Sequence, residues 1–259
     1  IFYDNTQISS FLFKVLSPVT IKHTKFDTFS GIPCIELVEW EVKSINIENC
    51  IFSNIQSRCI SMLDEKSSFP TNILSCEFRD NIFTKNRLDT TFQGGASICT
   101  AEGGDFKIEN CTFMNNQAPD AGGAVYAYTK SINISNCTFS ECRTDLGNGK
   151  NSSGGAVFLN GKLAKSFEMI TNCIFENCSS MFGGGLFIFC EDESSSNNDL
   201  RITIQNCNFT GCKSDTEGGA VSSGDSTSGI IVGDNDLQFV SCTFVECESK
   251  KGGAIYFQD

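Results

Sequence analysis

Short stretches of this chain alternate apolar and polar residues at period two, as in Ile45-Asn46-Ile47-Glu48 and Ile132-Asn133-Ile134-Ser135. That period belongs to a strand with one buried face. No run holds apolar residues at helical steps of three and four over ten or more positions. From the second copy on, a Cys-x-Phe element follows the alternating stretch. A Gly-Gly-small-aliphatic element comes later, as in Gly122-Gly123-Ala124-Val125-Tyr126 and Gly252-Gly253-Ala254-Ile255-Tyr256. The order then starts again. Phe26, Phe52, Phe78, Phe113, Phe139, Phe175, Phe209 and Phe244 fall at intervals of 26, 26, 35, 26, 36, 34 and 35 residues. The basic unit is 26 residues, and longer copies carry insertions.

Self-similarity at this period means a solenoid, a propeller or an array. A propeller blade needs four strands in about 40–45 residues. Three short strands in 26 residues suit one turn of a parallel β-helix, with like strands stacked at roughly 4.8 Å. The pattern predicts an all-β, right-handed parallel β-helix (a solenoid) with three short strands per turn and about eight turns. Such a rod is on the order of 40 Å long. The right hand follows from the strong preference for right-handed crossing between parallel strands. In register, Ile47, Ile108, Ile134 and Ile204 line one inner wall, the phenylalanines a second, and Val125, Val157, Val221 and Ile255 a third. Stability then comes mostly from contacts between neighbouring turns.

The remaining features fit corners. Asn49, Asn110, Asn136, Asn172 and Asn206 lie between the first strand and the cysteine, where a residue tolerant of left-handed backbone angles is needed. Stacked asparagines can also bond each other up a ladder. The pairs Gly94-Gly95, Gly122-Gly123, Gly154-Gly155, Gly183-Gly184, Gly218-Gly219 and Gly252-Gly253 mark the turn into the third strand. Stretches 84–93, 143–153 and 190–199, rich in Ser, Asn, Asp and Gly, read as loops projecting from corners.

The pairing of Gly-Gly-Ala-Ile/Val with Phe-x-x-Asn, as in Phe78-Arg79-Asp80-Asn81 and Phe113-Met114-Asn115-Asn116, resembles the repeats of the chlamydial polymorphic outer-membrane proteins and related protist surface proteins. In the last four copies cysteine replaces that asparagine, as in Phe139-Ser140-Glu141-Cys142. The chain also looks like the wider pectin-lyase-like class of right-handed β-helices. The resemblance covers 41–259 well and 1–40 weakly, with a degenerate turn at Ile21-Lys22-His23-Thr24-Lys25-Phe26. It implies a secreted or surface-exposed protein, and for the polymorphic proteins adhesion.

Composition agrees with an extracellular rod. The 259 residues, 40% hydrophobic, permit one elongated domain over 1–259, with degenerate turns in 1–40 and regular turns in 41–259. The chain reads as a segment of a longer protein. A formal net charge of −12 without a basic stripe argues against nucleic acid and anionic membrane surfaces. No apolar run reaches the roughly 18–20 residues of a spanning helix.

Of fifteen cysteines, seven precede the phenylalanines by two residues: Cys50, Cys76, Cys111, Cys137, Cys173, Cys207 and Cys242. Sharing a strand face with the phenylalanine, they are expected to point inward as a buried column. Cys142, Cys178, Cys212 and Cys247 complete Cys-x-Phe-x-x-Cys in the last four turns. Two readings stand together: small hydrophobes in a stacked column, or disulfides, across turns or within one, in an oxidising compartment. Zinc is disfavoured, because no Cys-x₂-Cys occurs and His23 is the sole histidine. Candidate N-glycosylation sequons begin at Asn110, Asn133, Asn136, Asn151, Asn177 and Asn208. Asn151 lies in a predicted loop and Asn133 is expected to point outward, while Asn110 and Asn136 are corner residues.

An enzyme of the pectin-lyase-like class implies clustered carboxylates with a histidine or a basic residue in one groove. His23 instead sits in a corner slot, and no Asp-Asp pair occurs. Glu191-Asp192-Glu193 and Asp234-Asn235-Asp236 read as solvated loop charges, the latter an incomplete calcium set. Gly-x-Ser-x-Gly is absent. The sequence therefore reads as non-catalytic, with no catalytic, metal or cofactor residues. It is expected to be a structural rod or filament component, or alternatively an adhesin stalk. Partners fall into two classes: other copies meeting end to end, and surface glycans or proteins. A polysaccharide lyase or hydrolase is the remote alternative.

Overall fold

The computed structural model describes residues 12–14, 19–31, 33–38, 44–62, 70–84, 94–100, 104–129, 131–144, 152–160, 167–189, 201–224 and 236–257. Every strand pair among them is parallel, and like elements of successive turns stack as the repeat predicts. One eight-stranded sheet gathers the alternating stretches, from Val19–Lys22 to Asp236–Val240. A second eight-stranded sheet gathers the phenylalanine strands, from Lys25–Asp27 to Thr243–Val245. A third, of nine strands, runs from Leu12–Lys14 to Ile255–Phe257 and carries the valines. These are called below the isoleucine, phenylalanine and valine sheets.

Register follows the repeat residue for residue. Ile21, Ile47, Ile73, Ile108, Ile134, Ile170 and Ile204 are successive partners in the isoleucine sheet, and Phe239 ends the row. The eight phenylalanine rings form one stack, with centroids 4.7, 4.8, 4.8, 4.7, 4.9, 4.5 and 5.1 Å apart. Those spacings are the inter-strand distance of a sheet, so each ring sits squarely on the next. The turn around Phe26, degenerate in sequence, is in full register: Phe26 pairs with Phe52 and Ile21 with Ile47. Ile98, Val125, Val157, Leu186, Val221 and Ile255 make the third wall. One core cluster contains all three walls.

A fourth sheet departs from the three-strand expectation. Gln117–Ala118, Arg143–Thr144, Ser179–Phe182 and Lys213–Glu217 pair with one another just after the phenylalanine corner. The predicted loop 143–153 is accordingly shorter. Thr144, Ser152 and Ser153 are buried, and Ser153 bridges Ala121 and Phe182. The rest of that loop, with 85–93 and 190–199, lies outside the described residues.

The glycine pairs divide two tasks. Gly122 has φ of 53°, the left-handed region. Gly123 has no room for a side chain, because an added Cβ would overlap the carbonyl oxygens of Gly155 and Arg143. Gly94-Gly95 is one residue out of step with the other pairs: Gly95 takes the left-handed corner, while Gly94 bridges Ala121. One turn before Gly94-Gly95 in the same row, the slot of the second glycine holds Arg58. It is 3% exposed, donates from Nε to the Gly94 carbonyl at 3.2 Å and lies 4.1 Å above the Phe83 ring.

Candidate functional site

Two corners and two outer faces present most of the polar side chains. The corner between the isoleucine and phenylalanine strands holds a positive-φ residue in every turn: His23, Asn49, Ser75, Asn110, Asn136, Asn172, Asn206 and Ser241, all at 51–54°. Asparagine reaches that region more readily than other side-chain-bearing residues because its short amide bonds locally. The amides also link turns. Asn172 Nδ2 donates to Asn136 Oδ1, and Asn206 Nδ2 donates to Asn172 Oδ1, each at 3.2 Å. His23 thus occupies the corner slot, as its sequence position indicates.

The second corner, two residues after each phenylalanine, repeats the device with Thr28, Asn54, Asp80, Asn115, Glu141, Asn177, Gly211 and Glu246. Asn115 donates to Asp80 there, and Asn54 donates to Asp27, both at 2.9 Å. Hydrogen bonds from Lys25, Asn54 and Ser53 hold the Asp27 carboxyl well below the usual carboxylate range.

Beside the rings stand two columns of thiols. Cys50, Cys76, Cys111, Cys137, Cys173 and Cys207 are buried, and Cys242 is half-buried at the end of the stack. Each sulfur lies within hydrogen-bonding reach of a carbonyl in the preceding turn. Examples are Cys137 to Ile108 at 3.7 Å and Cys173 to Ile134 at 3.6 Å. The second column is Cys142, Cys178, Cys212 and Cys247, whose sulfurs bond the carbonyls of Phe113, Phe139, Phe175 and Phe209 at 3.6 Å. In the two preceding turns the same slot holds Asn81 and Asn116, which donate Nδ2 to the carbonyls of Phe52 and Phe78 at 3.2 and 3.0 Å. This explains the exchange of asparagine for cysteine between early and late copies. Both residues are small and both donate to the carbonyl one turn back.

The disulfide alternative is corrected here. None of the fourteen described cysteines forms a disulfide; Cys190 lies outside the described residues. The reason is directional. Residues facing each other in parallel, in-register strands project their Cβ atoms side by side, so Cβ atoms keep the strand spacing of about 4.8 Å, beyond the roughly 3.5–4.5 Å a disulfide accepts. Within a turn, the two cysteines sit at opposite ends of the phenylalanine strand. Burial pushes the Cys34 thiol up to about 12 and Cys59 well above its ordinary value. Hydrogen bonding to Cys76, with burial, pushes Cys50 up too. Hydrogen bonds from neighbouring column thiols pull Cys111, Cys173 and Cys212 the other way. A neutral thiol, a poor nucleophile, is thus the state of Cys34, Cys50 and Cys59.

The sequons separate by geometry. Asn133 is exposed in the middle of its strand and Asn208 is exposed at the first position of its strand. Asn110 and Asn136 are exposed corner residues, and Asn136 belongs to the amide ladder. Asn177 lies against Gly211 at the second corner. Asn151 lies outside the described residues, as do Glu191-Asp192-Glu193 and Asp234-Asn235. Charged side chains on the first turns pair locally, Lys22 with Glu48 at 2.8 Å and Arg79 with Glu77 at 3.2 Å. Among the described residues no three His, Cys, Asp or Glu side chains are placed to hold a metal ion. No helix there is long and apolar enough to cross a membrane. Sequence reasoning missed Arg58; the visible signal was a turn without a glycine pair.

Searches of curated proteins and of solved structures return no match. The family model described as a right-handed β-helix region matches residues 34–244, which span the described core from Cys34 to the last ring of the phenylalanine stack. With parallel strands stacked in register over those same residues, the chain belongs to the right-handed β-helix family.

Proposed function

We propose that this protein is a non-catalytic extracellular rod, a structural component of a surface layer or filament. The observation that carries the reading is the unbroken eight-ring ladder from Phe26 to Phe244. Inward positions are filled by packing side chains, so the core does not depend on the sequence of the insertions. What such a core supplies is length and stiffness. The resemblance of the Gly-Gly-Ala and Phe-x-x-Asn elements to surface-protein repeats supports the same location. Negative-stain images of native material are expected to show rods or fibres of constant width. Incubation with pectin, alginate or another uronic-acid polymer is expected to release no cleavage product. Cleavage of any of these polymers overturns the reading.

A second reading, an adhesin stalk, is favoured by where the chain varies in length. The link between isoleucine and phenylalanine strands is two residues in every turn. The length variation instead falls in the segments that enter and leave the valine strands, including 85–93, 145–151 and 190–200. Contact-bearing segments gathered at that sheet suit a display role. Deleting 145–151 is then expected to abolish attachment to the target surface while leaving the melting temperature within a few degrees.

A further inference from the structure

The flank formed by the isoleucine and phenylalanine sheets changes character halfway along the rod. Each turn offers five positions there: two outward residues nearest the corner on the isoleucine strand, the corner residue, and two outward residues on the phenylalanine strand. Over the first four turns, residues 20–114, eight of these twenty are charged, four basic and four acidic. Over the last four, residues 133–245, one of twenty is charged, Glu176. The remainder are amides, hydroxyls and a few exposed apolar side chains, Met169, Ile174, Val240 and Val245. In a chain with 50 charged side chains, this half-flank is nearly free of them, whereas the first half balances four of each sign.

Its size and chemistry narrow the occupant. Four turns at about 4.8 Å, across strands of five and three residues at about 3.3 Å each, give a patch of roughly 500 Å². That is below the roughly 800 Å² per partner of a standard protein interface. Nor does it offer the aromatic and arginine anchors that dominate such interfaces. An uncharged, hydroxyl-rich covering matches it. Two sequons lie on it within strands rather than at corners: Asn133-Ile134-Ser135 and Asn208-Phe209-Thr210. In each, the asparagine and the hydroxyl residue face outward while Ile134 or Phe209 is fully buried. Neither side-chain amide is engaged in a hydrogen bond among the described residues, unlike Asn136 in its corner ladder.

We propose that Asn133 and Asn208 carry N-linked glycans, two turns apart, that cover this nearly uncharged flank and leave the valine sheet uncovered. The inference rests on the extracellular reading. In the transfer, the asparagine amide nitrogen forms a bond to the anomeric carbon of a polyisoprenyl-pyrophosphate-linked oligosaccharide. The anomeric C–O bond breaks, the lipid pyrophosphate leaves, and one amide proton is lost to base.

The test uses the protein isolated from its own cells after labelling the intact cells with a membrane-impermeant amine reagent. Peptide mapping with and without peptide:N-glycosidase should show deglycosylation-dependent conversion of Asn133 and Asn208 to aspartate, with Asn110, Asn136 and Asn177 unconverted. N133Q and N208Q, expressed in the same cells, should each remove one glycan increment from the apparent mass. Unmodified Asn133 and Asn208 in surface-labelled protein overturn the inference alone. Protein that the reagent does not reach overturns the extracellular reading and the inference together. Glycans on the corner asparagines instead overturn the selection of strand sites over corner sites.

Discussion

Truncating one ring in the middle of the phenylalanine ladder tests the architecture most directly. Phe139 is fully buried, with ring neighbours at 4.7 Å on one side and 4.9 Å on the other. Phe139→Ala removes the ring and leaves a cavity that adjacent turns cannot close, because backbone ladders hold them at the strand spacing. Buried phenylalanine truncations cost about 3–5 kcal/mol, and here the upper part of that range, ~4 kcal/mol, is expected. Each lost ring pair contributes about 0.5–1.5 kcal/mol of that beyond area burial. Phe244 ends the stack, is half-buried and has one ladder neighbour at 5.1 Å. Its truncation is expected to cost ~1–2 kcal/mol, scaled down for the missing neighbour and partial exposure. For a chain of this size those values correspond to melting shifts of about 8–16 °C for Phe139→Ala and about 2–8 °C for Phe244→Ala. Thermal melts followed by far-UV circular dichroism read both. Equal shifts for the two variants would refute the reasoning, because they would mean that position in the stack does not matter.

The corner asparagines give a second test. Asn136→Ala puts an alanine at φ of 53° and removes a ladder acceptor, so a loss of ~1–2 kcal/mol is expected, whereas Asn136→Gly should lose less. Gly123→Ala is expected to cost more than either, ~3 kcal/mol or above, since the methyl meets backbone oxygens that cannot move; native yield and melting temperature check it. Cys142→Asn restores the residue held by that slot in Asn81 and Asn116 and is expected within ~1.5 kcal/mol of wild type by urea titration, while Cys142→Leu overpacks the column and costs ~1–3 kcal/mol. The buried thiols should resist an aromatic disulfide reagent at neutral pH and react once denatured. For Cys34 the sign follows from a folded value of about 12 against an ordinary 9.0: its contribution is intact below pH 9 and is lost as pH rises toward 12. The expected slope is about 1.4 kcal/mol per pH unit from this thiol, visible as a falling urea midpoint; a midpoint that rises over that range contradicts it.

Much of the fold was legible because each structural statement is written six to eight times. A single Cys-x-Phe says little. Its recurrence at a constant distance from an alternating stretch and a glycine pair fixes which residues face inward and which strand stacks on which, since a register slip would turn every buried side chain outward. The ring ladder, the inner walls and the left-handed corners therefore follow from sequence alone. So does the degenerate first turn, whose Phe26 keeps its step from Phe52.

Tertiary structure decided what depends on a partner from another turn. The fourth sheet is built from Gln117–Ala118, Arg143–Thr144, Ser179–Phe182 and Lys213–Glu217, stretches too short and too varied to show alternation, and only stacking makes them strands. Gly94-Gly95 looks like the other pairs but sits one residue out of step, because pairing of Gly94 with Ala121 sets its register. Arg58 lies buried in a glycine slot because Phe83 and the Gly94 carbonyl, remote in sequence, receive it. The described cysteines form no disulfides for the same kind of reason. Sequence spacing brings equivalent thiols within a strand width of each other, but the parallel projection of their Cβ atoms, a property of stacked strands, keeps them from bonding.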